Sequence, residues 1–215
     1  MFSTTMTTNP LSMHDVSRLA PASLNVLERN AGKPEFATHA RTMVPVANGV
    51  LVALQDLGML KNQQVKLLAA SAEQTAQLHG LMLRWFGPLA HDIEGFDPTA
   101  FAHDADRNFD VSHKGKLLKR HVEEKGAGLP YQEALLAELT ARIEGADEAA
   151  KSAYTTRAVV QEKRAVVREL SATFYEELVS LRRTVRGSLG STHVDNQRLR
   201  ARSGRAAAEP PEATT

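Results

Sequence analysis

The 215-residue chain has no cysteine. That excludes disulfides, thiolate zinc sites, iron–sulfur clusters and a cysteine nucleophile. Aromatic residues make up only 5%, too few for a sandwich, a barrel or an aromatic surface on which bases stack. Net charge is nearly absent too: 26 Lys and Arg stand against 25 Asp and Glu, a formal +1. Long hydrophobic runs are missing. The longest uncharged stretch, Thr42 to Gln55, has 14 residues and contains Pro45, Asn48 and Gly49. Crossing a bilayer takes roughly 20 apolar residues, so this stretch reads as a buried helix segment and integral membrane insertion is not expected. The start, MFSTTMTTNP, has no basic residue and no apolar core, so it does not read as a secretory signal. A cytoplasmic protein is the expectation.

What is present is an ordinary globular balance, 42% apolar and 24% charged, which argues against wholesale disorder. The organising signal is a heptad phase. Steps of four and three from Val46 reach Val50, Ala53, Leu57, Leu60, Gln64, Leu67, Ser71, Gln74, Leu78, Leu81 and Trp85. Such persistence predicts one long helix from Glu35 to about Ala90, packed along a single seam. Gly58 offers a rival hairpin turn, but the phase crosses it unbroken. A second stripe runs through Leu135, Leu139, Ile143, Ala146, Ala150, Ala153, Val160, Val167, Leu170, Phe174, Leu178, Leu181 and Val185. It predicts a helix from Tyr131 to about Leu189, opened by Pro130 at its first position and ended by Gly187 and Gly190.

Shorter elements fill the gaps. Leu11 to Asn30 reads as a helix broken at Pro21, stopped by Gly32 and Pro34. Gly87-Pro88 and Gly95 to Pro98 bracket the end of the first long helix. Thr99 to Ser112 reads as acidic and irregular, and Lys114 to Lys125 as a short basic helix ended by Gly126-Ala127-Gly128. No segment alternates like a strand. The expected fold is all-α, an elongated bundle built on two long antiparallel helices with short connecting helices. Its parts are a leader with a broken helix (1–33), the bundle (34–190) and a basic, partly disordered tail (191–215). Each long helix leaves apolar surface that its partner cannot cover, so a homo-oligomer or partner helices are expected.

Polar residues interrupt the seams near their middles. Gln64, Ser71 and Gln74 sit at core-type positions of the first helix, and Arg157, Gln161 and Arg164 near the centre of the second. If the helices pair antiparallel these centres meet, either to set register or as a wet waist.

Chemistry-bearing motifs are sparse. None of the eight His forms an i, i+4 pair or a Glu-x-x-His motif, so scattered surface histidines are the better reading and no metal site is assigned. Asp104, Asp106 and Asn108, followed by Val111 and Ser112, match alternate positions of a calcium loop. Phe109 stands where that loop needs Gly, however, and Gly115 where it needs Glu, so a solvated acidic turn is preferred. Nucleophile elbows and phosphate loops are absent. The expectation is a non-enzyme with no cofactor and no small-molecule substrate, acting as a structural or assembly protein through its helix faces. The alternative is an amphipathic coat that lays Val44 to Leu60 on a lipid or granule surface.

Charge is segregated despite the small total. Asp92 to Asp110 carries six acids and one base, whereas Arg182, Arg183, Arg186, Arg198, Arg200, Arg202 and Arg205 share their segment with one acid, Asp195. All seven bases are Arg, which suits carboxylate or phosphate. The segment reads as an anion-docking tail that folds back onto the acidic connector 92–110, its own or a neighbour's, with at most weak, salt-sensitive binding of an external polyanion.

Overall fold

The computed structural model describes residues 11–102 and 108–200. The chain is all-α, with no strand among the described residues: α1 (Met13–Arg29), α2 (Pro34–Asp92), a 3₁₀ turn (Pro98–Ala100), α3 (Asn108–Lys125), α4 (Gln132–Leu189) and α5 (Val194–Arg198). The two long helices, 59 and 58 residues, pack against each other as the stripes require. Their contacts divide the chain into two compact units. One is contiguous, 60–160, and the other is made from 1–59 together with 161–215.

In the discontinuous unit, α1, the first half of α2, the second half of α4 and the segment after α4 share one core. Leu19, Val26, Phe36, Met43, Val50, Phe174, Leu178, Leu181 and Leu199 are all buried in it. Polar links join the same helices at its edge. His39 Nε2 meets Thr184 Oγ1 at 2.8 Å, Thr42 donates to Glu177 at 2.7 Å, and Lys163 donates to Asp56 at 2.7 Å.

Helix α1 passes through Pro21 without a break, contrary to the sequence expectation. Pro21 is exposed, and proline inside a helix costs about 3 kcal/mol. Val16, Leu19, Val26 and Leu27 are buried on the opposite face, each contributing about 1.5–3 kcal/mol, so packing outweighs the lost hydrogen bond. Ser12 caps the start by accepting from the Asp15 N–H at 3.0 Å, which satisfies an orphan donor. Gly32 does not form the left-handed cap expected of it, since its φ is not positive. Asn30 ends the helix instead, its backbone and side-chain N–H groups both donating to the Val26 carbonyl.

In the contiguous unit, α2, α3 and α4 enclose Leu78, Leu81, Met82, Phe86, Leu118, Val122, Leu135, Leu139 and Ile143. The aromatic side chains gather where α2 ends: Phe96 stacks on Phe101 with centroids 5.3 Å apart, and His121 lies 5.5 and 5.4 Å from these two rings. The last turn of α2 continues past Gly87-Pro88 because Leu89 and Ile93 are buried beyond it. Asp97 then caps the 3₁₀ turn, accepting from the Thr99 N–H and hydroxyl, bonds that hold its carboxyl below the usual carboxylate pKa. Helix α3 begins at Asn108, six residues before the basic helix read from the sequence. Its Gly115 packs so closely that a Cβ there would stand 3.2 Å from Ile143 Cγ1 and 3.3 Å from Leu78 Cδ2. Pro130 precedes α4 rather than opening it, because Gln132 is the first helical residue.

The phase read along α2 is the observed one. Val50, Ala53, Leu57, Leu78 and Leu81 are buried, and Leu60, Gln64, Leu67, Ser71, Gln74 and Trp85 are half-buried. Gly58 lies inside the uninterrupted helix. Of the stripe on α4, only Ala150 is exposed.

Candidate functional site

Two concave surfaces stand out, one in each unit. The first lies in the contiguous unit, a groove of about 320 Å³ between α2 and α4 with α3 at one end. Its floor is built from small side chains, Ala72 from α2 and Ala146, Ala150 and Ala153 from α4. On α4 these recur at i, i+4 and i+7, one face of a helix. Leu68 and Tyr154 stand on its rim, 52% and 76% exposed. Val65, one turn before Leu68, is 66% exposed.

Hydroxyls and charges occupy the groove's α3 end. Ser112 Oγ donates to Asp147 Oδ1 at 2.6 Å, and Lys116 Nζ pairs with Asp147 Oδ2 at 2.6 Å. Burial works against ionisation of Asp147, but these two donors overcome it and hold the carboxyl below the usual carboxylate pKa. The site is therefore an apolar trough with a fixed, neutralised acid at one end.

The residues singled out as a polar centre are only partly reunited. Ser71 and Arg157 line this same groove. Gln74 lies over Gly145, where its Oε1 would stand 3.2 Å from an added Cβ. Arg157 and Gln161 are exposed, so neither is a core residue, while Gln64 and Arg164 are half-buried. The α4 side chains turned inward between the fully buried Ala153, Val160 and Val167 are Thr156, Lys163 and Arg164. Sequence reasoning missed Leu68 and Tyr154. Their signal was present, because both are large and lie off the stripes.

The second concavity, about 290 Å³, lies in the discontinuous unit. Arg182, Arg183 and Arg186 reach it from the last turns of α4, and Arg200 from the segment after α5. Gly190, at φ +97, reverses the chain between them, a backbone conformation that glycine adopts without strain. Residues 191–200, read from the sequence as the start of a flexible tail, are docked in place: Leu199 is fully buried. Asp195, 4% exposed, pairs with Arg29 at 2.7 Å, and the Arg200 carbonyl accepts from Arg18 at 2.7 Å. Arg198 does not line the cavity but approaches Asp195 at 3.8 Å. Arg202 and Arg205 lie outside the described residues.

Two other candidates contribute less. Asp104 and Asp106 lie outside the described residues, and Asn108 to Ser112 are already helical. A calcium loop needs a turn at the position of Phe109, so the loop resemblance is not realised there. Among the described residues, no three His, Asp or Glu side chains converge as metal ligands. Helix α2 contains an 18-residue window of mean hydropathy 1.5, long and apolar enough to cross a membrane by length and composition, of which 28% is buried. Compared with known protein families, characterised proteins and solved structures, the chain matches none.

Proposed function

We propose that the protein is a non-enzymatic structural or assembly module that works through the faces of its two long helices. The observation that supports this is the groove of the contiguous unit. It exposes large apolar side chains, Leu68 and Tyr154, beside a hollow floored by alanines.

The occupant that fits best is a second copy of the chain. In a two-fold interface one patch must supply both protrusion and hollow, and here they lie side by side. Leu68 and Tyr154 of one copy fill the alanine floor of the other. Apolar area removed from water contributes about 25 cal/mol per Å², so sealing both grooves drives pairing.

The test is the molar mass by light scattering of the parent and of Leu68→Glu/Tyr154→Glu. Both positions are exposed, so the variant keeps its fold and its melting temperature. The expected result is an oligomeric parent and a monomeric variant. A monomeric parent, or a variant of unchanged mass, overturns the proposal.

One observation favours a second reading, a coat on a lipid surface: the small buried share of the apolar window in α2. Val52 and Met59, both exposed, lie within Val44 to Leu60. Co-sedimentation with neutral phosphatidylcholine vesicles separates the two readings, because only the coat binds them.

A further inference from the structure

The arginine cavity is not used by an assembly role, and its charge is unbalanced. Among the described residues, Arg182, Arg183, Arg186 and Arg200 have no ion-pair partner, while Asp195, the one acid of the segment, is taken by Arg29 and approached by Arg198. The buried Nε of Arg182 has no hydrogen-bond partner there either. Four guanidinium groups around one hollow repel each other, and a buried donor without an acceptor is left unsatisfied at a free-energy cost. An anion in the hollow relieves both.

The surroundings are built rather than loose. Asn196 is buried and donates to the Ser191 carbonyl at 2.7 Å, closing the turn after Gly190. The backbone of Arg200 is pinned through its carbonyl by Arg18. Arg182 and Arg186 lie one helical turn apart and so share a face.

The lining also selects the anion. Guanidinium forks bind phosphate oxygens two at a time. Among the described residues no aromatic ring lines the cavity, so none of them stacks a base there. Its 290 Å³ exceeds the needs of one tetrahedral anion, and four guanidinium charges exceed the roughly two negative charges that a single phosphate carries. We propose that this cavity binds a compact diphosphate-sized anion, held by Arg182, Arg183, Arg186 and Arg200. Two phosphates held close together are carried both by soluble esters and by lipid headgroups, and the same chemistry serves either source.

Inorganic pyrophosphate is the probe, titrated calorimetrically into the full chain at fixed ionic strength, with melting temperature followed in parallel. Saturable one-to-one binding and a rise in melting temperature are expected. The variant Arg183→Gln/Arg186→Gln should weaken binding at least tenfold. Both side chains are exposed, so it folds, and losing like charge should leave the free protein no less stable. Arg183→Lys/Arg186→Lys keeps the charge but not the forks, and should lose most of the affinity. Arg120→Gln, on α3 and not among the residues lining the cavity, should bind as the parent does.

Vesicles of phosphatidylcholine with a phosphorylated phosphoinositide identify the source: binding that pyrophosphate competes away assigns a lipid headgroup, and its absence a soluble ester. The proposal is overturned by unsaturable binding, by equal binding in the glutamine variant, or by vesicle binding that pyrophosphate does not displace.

Discussion

Replacing Gly115 measures how tightly α3 is seated. A Cβ at this position would stand 3.2 Å from Ile143 Cγ1 and 3.3 and 3.4 Å from the two Leu78 methyls, inside the 3.5–4.0 Å of an ordinary carbon contact. Leu78 is fully buried and Ile143 nearly so, so neither has an empty direction in which to yield. Alanine gains about 1 kcal/mol of helix propensity over glycine, and a displacement of a few tenths of an ångström takes back a similar amount. Gly115→Ala is therefore expected to be near neutral. Valine adds two methyls to the same contact and should cost about 1–3 kcal/mol, as overpacking does in other cores. Gly58 supplies the internal control. It is helical and exposed, with nothing within 4 Å of an added Cβ, so Gly58→Ala should gain up to about 1 kcal/mol. Urea unfolding followed by circular dichroism reads all three. If Gly115→Val matches the parent, or Gly115→Ala gains as much as Gly58→Ala, then α3 does not pack on Leu78 and Ile143 as described. A loss at Gly58→Ala would instead restore the hairpin turn.

Two further outcomes follow from charged contacts. Asp195→Asn should cost about 1.5–3 kcal/mol, the range for a hydrogen bond to a charged group; Arg29 is 42% exposed and regains water, which keeps the cost below that of a wholly buried pair. A change under about 0.5 kcal/mol, within the surface range, would mean that this contact does not hold the segment after α4. Asp147 has its pKa lowered in the folded state by Lys116 and Ser112, against the effect of its burial. Its contribution is therefore complete above the ordinary carboxylate pKa and is lost as pH falls through the lowered value. Parent and Asp147→Asn should differ by a constant amount at neutral pH and converge in acid, and a difference that grows on acidification would contradict the assignment.

The long helices were the legible part of this fold. Their apolar period held for more than five heptads, and their ends carried Gly and Pro signals that placed them within three residues. The failures share a cause, since each turned on what a neighbour buries rather than on the local residues. Pro21 marks a break by local rules, yet α1 continues because its opposite face lies against α2 and α4. Leu199 stands in a basic, polar stretch and is the anchor of that stretch. In the middle of α4 the sequence pattern places a polar centre at Arg157, Gln161 and Arg164. The observed face advances through Ala153, Thr156, Val160 and Lys163, steps of three and four that leave Arg157 and Gln161 outside. The groove and the arginine cavity depend on which side chains meet across helices, and no linear spacing encodes that.

The discontinuous unit imposes an order on synthesis. Residues 11–59 present the apolar face of α1 and the first turns of α2 to a core whose other wall, from Phe174 to Leu199, is translated last. Ribosomes add about 5–20 residues per second, so that face waits several seconds with no native cover. The 60–160 unit has every one of its residues by then. A ribosome stalled before Leu199 thus carries one complete body and one open apolar surface, the kind of surface that chaperones hold and proteases find.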